Sequence, residues 1–285
     1  MTPGREAIPG EGRRPAVTRR HVLAASLALG LTLGGGAASR LASGRPAGGS
    51  RPILIGTGRL MKPYCYVDGD DRPAGYEIEV LNRINALLPQ YRFEIIQQEF
   101  VNILMDLRAG KIDVAAHQYE RNDEREKAFL FADEGYTNYV LHLVVRRDRD
   151  DVAGLSDLAG KTVSVEPGSN TAYLIDLYNA RHGNAIAVRY ASGVAALSYV
   201  ADVVDGRTDA VILLKRTVEE LNRTFGDHLK MVGPPVSTSH AFHLFRKDGT
   251  GLKSDFDSAL RLLKRDGTLQ QLSVASLGGN FVDEE

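Results

Sequence analysis

Leu107-Arg108-Ala109-Gly110-Lys111-Ile112-Asp113-Val114-Ala115 returns 96 residues later as Val203-Val204-Asp205-Gly206-Arg207-Thr208-Asp209-Ala210-Val211. Each copy reads as the apolar end of a helix, a glycine, a basic residue, an aspartate and then a buried strand. Glycine takes the left-handed backbone just past a helix C-terminus, and the base sits at the negative end of the helix dipole. The residues upstream align as well: a strand at 92–97 or 187–191, then a helix at 101–108 or 194–204. Two similar α/β units in one chain predict two lobes. Gly-basic-x-Asp is also ordinary helix-to-strand chemistry, so a chance echo is the alternative.

Around this repeat, short Val/Ile-rich runs alternate with helical periodicity. Strands are predicted at 53–56, 92–97, 112–116, 139–146, 162–166, 186–191, 210–214, 231–232 and 241–246. Helices are predicted at 77–88, 101–108, 171–181, 194–204, 217–222 and 254–265. In the first of them, Ile78, Leu81, Ile84 and Leu88 fall at steps of three and four. The alternation predicts an α/β fold with mainly parallel sheets covered by helices.

Length and composition bound the function. The chain has 285 residues, with 35 Lys+Arg against 36 Asp+Glu, so no basic excess marks it as a general nucleic-acid binder. At 43% apolar and 25% charged residues it reads as an ordinary globular protein of one large or two modest domains. Cys65 is the only cysteine, which excludes an intramolecular disulfide, a CxxC pair and a Cys-rich zinc site. No metal or cofactor is expected.

The charge split changes near residue 40. Residues 1–42 hold six basic and two acidic side chains, leaving 29 basic and 34 acidic for 43–285. Residues 22–39 carry no charge but are diluted by Gly and Ala, too weakly apolar for a stable membrane span. A charged leader, a short apolar stretch and Ala37-Ala38-Ser39 predict a cleavable export signal over 1–42. Thr18-Arg19-Arg20-His21-Val22-Leu23 resembles the twin-arginine motif; a general secretory signal with an incidental Arg pair is the alternative. Residues 43–51 read as a flexible linker. The expected location is periplasmic, or extracellular where the envelope has a single membrane.

From residue 52 onward the chain resembles the type 2 periplasmic solute-binding proteins of the polar amino-acid ABC-transporter branch, bacterial extracellular solute-binding protein family 3. The resemblance rests on the order and spacing of several short pieces. They are Ile55-Gly56-Thr57-Gly58, Lys62-Pro63-Tyr64, Gly75-Tyr76-Glu77-Ile78-Glu79-Val80, Arg125-Glu126-Lys127-Ala128-Phe129-Leu130-Phe131, Leu158-Ala159-Gly160-Lys161-Thr162, Gly168-Ser169-Asn170-Thr171 and Leu263 to Leu269. It implies a two-lobed (Venus flytrap) fold, each lobe a mixed sheet flanked by helices. Lobe 1 would be 52–142 plus 239–285 and lobe 2 would be 143–238, joined by crossings at 139–146 and 234–241. The implied activity is capture of an amino acid or related small carboxylate by a monomer and delivery to a membrane ABC permease.

The family's carboxylate-binding arginine falls on Arg125. Asn122 is a good N-cap ahead of it, so Arg125 stands at the third position of a short helix, where a cation gains from a nearby anion. The alternative is that Asp123, Glu124 or Glu126 neutralises it on a solvated surface. Gly168, Ser169 and Asn170 would bring helix-start N–H groups to the same carboxylate, or Ser169 would simply cap. The family's ammonium-binding acid aligns with Leu214, a departure. His117, Gln118 and Glu120 lie in the segment used around the amino group; Glu120 either supplies the missing charge or pairs with Arg121 or Arg125. His117 is either a ligand contact or a packed polar residue. Phe100 and Met61 would contact the ligand side chain, while a common family acid is Gly58 here, which argues against a Lys/Arg-type ligand. Residues 117–131, HQYERNDEREKAFLF, are similar to cystine-type binders, so sulfur-containing amino acids are expected among the ligands.

An enzyme on the same scaffold is the competing class: a few relatives resemble cyclohexadienyl (prephenate/arogenate) dehydratases, for which Glu120 or Glu166 would formally serve as acid. The chain has no GxSxG, HExxH or Walker loop. A free-standing docking module is a third class.

Overall fold

The computed structural model of the chain describes residues 49–191 and 197–283. The export segment predicted at 1–42, residues 43–48 of the predicted linker and the start of the helix predicted at 194–204 lie outside the described residues. The strands are β1 Arg51–Thr57, β2 Leu60–Met61, β3 Cys65–Val67, β4 Pro73–Ala74, β5 Tyr91–Gln97, β6 Val114–Tyr119, β7 Leu130–Phe131, β8 Thr137–Arg146, β9 Thr162–Val165, β10 Ala187–Tyr190, β11 Ala210–Leu214 and β12 Leu229–Phe245. The α-helices are α1 Tyr76–Leu87, α2 Phe100–Arg108, α3 Asp123–Ala128, α4 Asn170–Arg181, α5 Leu197–Val204, α6 Lys215–Phe225, α7 Thr250–Arg265 and α8 Thr268–Leu277. Among the described residues no helix is long and apolar enough to cross a membrane.

The repeated motif has the same structural meaning in both copies. Gly110 and Gly206 close α2 and α5 at φ 73° and 74°, in the left-handed region that glycine takes without strain. Asp113 accepts the Leu54 amide of β1 at 3.0 Å and Arg246 Nη1 at 3.0 Å. Asp209 accepts the Thr162 amide at the start of β9 at 2.8 Å and Arg149 Nη1 at 2.8 Å. Each aspartate thus ties the strand after its helix to the neighbouring strand and to an arginine. In one half β1 runs parallel to β5 and β6; in the other β9 runs parallel to β10 and β11. An amide-to-carboxylate hydrogen bond is worth about 1.5–3 kcal/mol. Asp209→Asn is therefore expected to lower the ligand-free melting temperature by several degrees, and an unchanged melt would remove this role.

Two long strands join the halves. β8 pairs antiparallel with β11 and with β12, and β12 pairs antiparallel with β6 and β7. The main sheet has the order β10-β9-β11-β8-β12-β6-β1-β5 with β7 on β12, and β2-β3-β4 form a separate antiparallel sheet, so the expectation of mainly parallel pairing holds for β1 with β5 and β6 and for β9 with β10 and β11 and fails elsewhere. The segments predicted at 231–232 and 241–246 are one strand. Gly233 at φ 67° and Pro234-Pro235 sit where the β8–β12 register shifts between Val232 and Ser237. Prolines lack the donor a regular ladder needs, so they signal a break in sequence and mark an irregularity in structure.

The first helix begins as predicted and buries Ile78, Val80, Leu81 and Ile84. Its N-cap, Gly75, has φ 110°, and a Cβ there would lie 2.3 Å from the Tyr64 carbonyl. α8 was not predicted as a helix of its own: of its residues Leu269 and Ser273 are the buried ones, too few to print an apolar stripe.

Candidate functional site

A cavity of about 460 Å³ lies between the halves, lined from one side by the β1–β2 loop, α2 and β6 and from the other by β9, the start of α4 and β11. Arg125, Glu120, Gln118, His117, Phe100, Met61, Ser169 and Asn170 all line it. Gly168 does not. It is exposed, faces a neighbouring groove of about 520 Å³, and presents its carbonyl to Arg125.

Arg125 is built into the site by its cap. The Asn122 side chain accepts the Arg125 amide at 2.9 Å, starting α3. The guanidinium is turned inward and the residue is 7% exposed. Nη1 donates to Glu120 O at 3.0 Å and Nη2 to Gly168 O at 3.0 Å, while the Tyr119 ring lies below it at 5.1 Å. Both acceptors are neutral carbonyls, and no ion pair to Arg125 occurs among the described residues. The surface neutralisation by Asp123, Glu124 or Glu126 is not what the structure has: Glu126 pairs with Arg121 instead. Burial pulls the Arg125 pKa below the ordinary guanidinium value, and Tyr119 and Glu120 offset this. A guanidinium carries five N–H donors, so donors remain for an anion.

Glu120 is 2% exposed and accepts from Ser239 Oγ at 2.8 Å. Its carboxyl forms an ion pair with neither Arg121 nor Arg125 among the described residues; Arg125 meets only its backbone carbonyl. Burial pushes its carboxyl up to about 7, against the lowering effects of the Ser239 hydrogen bond and the Arg125 charge. A second carboxyl, Glu166 at the end of β9, is also pushed up to about 7, by burial and then by Glu99. Both acids line the cavity. Leu214, the residue at the family's acid position, is 4% exposed and adds an apolar surface there.

Ser169 is the N-cap of α4: its Oγ accepts the Ala172 amide at 3.1 Å. Asn170 Oδ1 accepts Asn122 Nδ2 at 2.9 Å. With Arg125 to Gly168, this ties α3 to the start of α4, so the halves meet over the cavity. Arg216 of α6 donates to the Tyr64 hydroxyl and lies 3.9 Å over the Phe281 ring, a further tie.

The opposite wall is aromatic. Phe100 stacks on Tyr119 at 5.9 Å and lies 5.1 Å from the His117 ring. His117 Nδ1 is 3.1 Å from the buried Cys65 thiol. Burial pulls His117 down to about 4, with the Arg125 charge acting the same way and Glu77 opposing, so the ring is neutral near pH 7. This ring explains Gly58. A Cβ on Gly58 would stand 2.3 Å from His117 Cε1, so an acid at 58 and the present His117 exclude each other. The sequence did not single out Tyr119, because β6 is buried along both faces and shows no alternation that would pick one side chain.

Comparison with known proteins follows the same lines. The model of the bacterial extracellular solute-binding proteins, family 3, matches residues 53–278. The L-cystine-binding protein TcyK of Bacillus subtilis is 33% identical over 233 residues, covering 82% of this chain and 86% of that protein. A solved Listeria monocytogenes protein assigned to L-cystine ABC transport is 34% identical at TM-score 0.77, covering 82% of this chain and 99% of that one. A structure from work on glutathione import through GshT and the cystine importer TcyBC of Streptococcus mutans is 25% identical at TM-score 0.75, covering 82% and 98%. These are binding and import proteins, and nothing in them supports the dehydratase alternative. The matched span runs from β1 to the end of α8 and takes in the whole cavity wall. The chain belongs to the bacterial extracellular solute-binding proteins, family 3.

Proposed function

We propose that this protein captures L-cystine, or a closely related sulfur-containing amino acid, in the cavity between its halves and delivers it to a membrane ABC permease. The observation that carries the reading is Arg125, a buried guanidinium with neutral carbonyl partners and donors to spare, in the same cavity as the buried carboxyl of Glu120, which forms no ion pair among the described residues. An amino acid offers the matching pair, a carboxylate and an ammonium. Arg125 takes the carboxylate through parallel N–H donors, and the start of α4 adds backbone N–H groups at its positive end. Glu120 takes the ammonium, in place of the acid absent at Leu214. Phe100, His117 and Met61 contact the side chain; a thioether and aromatic faces suit a disulfide or thioether ligand. A volume of about 460 Å³ falls in the range of roughly 300–1,000 Å³ for pockets enclosing drug-sized ligands, which favours an extended amino acid over a small one.

On this reading the lobes are 52–142 plus 239–285 and 143–238, and β8 and β12 carry the hinge on which ligand closes them. Residues 1–42 direct export by the twin-arginine route, and the protein works as a periplasmic monomer. A thermal-shift screen of the exported form against amino acids, cystine and small dicarboxylates tests the reading. L-cystine at 100 times its dissociation constant is expected to stabilise by about 2.7 kcal/mol. A shift with none of the amino acids, or product formation from prephenate, would contradict it.

A further inference from the structure

Four acids line the cavity among the described residues: Glu99, Glu120, Glu166 and Glu220. Glu120 accepts from Ser239 and, on the amino-acid reading, takes one ammonium. Glu220 lies on α6 and pairs with Arg223 one turn on. Glu99 is exposed. Glu166 differs from all three. It follows β9, is half-buried, and its carboxyl has no hydrogen bond or ion pair among the described residues. Its surroundings are those of the aromatic wall. It feels Glu99, which precedes Phe100 at the start of α2, and it acts in turn on Tyr119, on which Phe100 stacks. Neither neighbour offers a positive charge, and the like charge of Glu99 opposes ionisation of Glu166 until a cation joins them.

L-cystine brings two cations. It is two cysteines joined through sulfur, and a disulfide holds the two α-carbons about 5.5–6 Å apart. A cavity of about 460 Å³ that takes one end leaves room for the other. Arg125 and Glu120 answer the first carboxylate and ammonium, and a second ammonium drawn out of water needs an acceptor of its own. We infer that Glu166 accepts the second ammonium of L-cystine, so that the cavity selects a two-headed amino acid over one of the same length that lacks that charge. This rests on the amino-acid reading of the cavity and narrows its ligand class to diamino dicarboxylates. The two acids come from opposite halves, Glu120 after β6 and Glu166 after β9, so a two-headed ligand also ties one half to the other.

The test is a cycle between Glu166 and the second ammonium, read as affinity by titration at about pH 7.5. The probes are L-cystine and the mixed disulfide of L-cysteine with 3-mercaptopropionic acid, which keeps the disulfide and both carboxylates and lacks only the second ammonium. Wild-type protein is expected to prefer L-cystine by about tenfold or more. Glu166→Gln keeps the shape, removes the charge, and is expected to bring the two affinities within about threefold of each other. Should Glu166→Gln not fold, Glu166→Ala enters the same comparison with the same expectation. Equal wild-type affinities for the two probes, or a preference that survives undiminished in the variant, would overturn the inference while leaving L-cystine capture by Arg125 and Glu120 intact. Wild-type protein that binds neither probe would overturn the functional reading first and this inference with it.

Discussion

Arg125→Ala is expected to abolish the thermal shift that L-cystine gives the wild-type protein. The residue is 7% exposed, its guanidinium donates to two carbonyls and forms no ion pair among the described residues, so a ligand carboxylate would bring it an opposite charge in direct contact. Truncating one partner of a buried, hydrogen-bonded charge pair costs about 2–5 kcal/mol, roughly thirtyfold to several thousandfold in affinity. Lysine is not an adequate replacement, because a point charge cannot offer two parallel donors. The ligand-free melt should move far less. The Asn122 cap on α3 survives the change, and the exposed Gly168 carbonyl passes to water. A ligand shift of equal size in wild type and variant would remove Arg125 from the site.

The second large effect is on pH. L-cystine affinity is expected to fall as pH drops from about 7.5 to 5, approaching tenfold per pH unit, or about 1.4 kcal/mol each. Burial raises the ligand-free Glu120 carboxyl to about 7, so at lower pH a proton must leave before the ammonium can take its place. Ligand-free stability runs the other way. An exposed Glu titrates near 4.5, and Glu120 holds its proton to about 7 when folded. Its contribution is therefore fully present below the unfolded value and lost as pH rises through 7. For a side chain 2% exposed this difference is on the order of 3 kcal/mol. Glu166, facing Glu99 and also raised to about 7, acts in the same direction. Glu120→Gln is expected to flatten the binding profile and to weaken binding about tenfold at pH 7.5. Wild-type affinity that stays level from pH 5 to 7.5 would show that Glu120 does not hold the ammonium.

The echo of 107–115 at 203–211 was readable because glycine, a base and an aspartate have fixed tasks at a helix-to-strand corner. Asp113 and Asp209 perform the same task in the two halves. Asn122 ahead of Arg125 was readable for the same reason, since a cap is a local matter. What was not legible depends on contacts distant in sequence. Nothing around Glu120 says that its carboxyl reaches Ser239 rather than Arg121, or that Gly58 makes room for His117. The placement of Gly168 outside the cavity wall follows from Arg125 crossing over to its carbonyl, a contact between residues 43 apart. Pro234-Pro235 hid the continuity of β12, because a strand that crosses between halves tolerates an irregularity that a strand within one sheet does not.

The central claim is that a zwitterion is gripped between Arg125 and Glu120, and a crystal structure of the protein with L-cystine tests it most directly. The account predicts one α-carboxylate of the ligand within hydrogen-bonding distance of the Arg125 guanidinium, and the ammonium on the same α-carbon against Glu120. Ligand bound elsewhere, or with its ammonium turned away from Glu120, would contradict it.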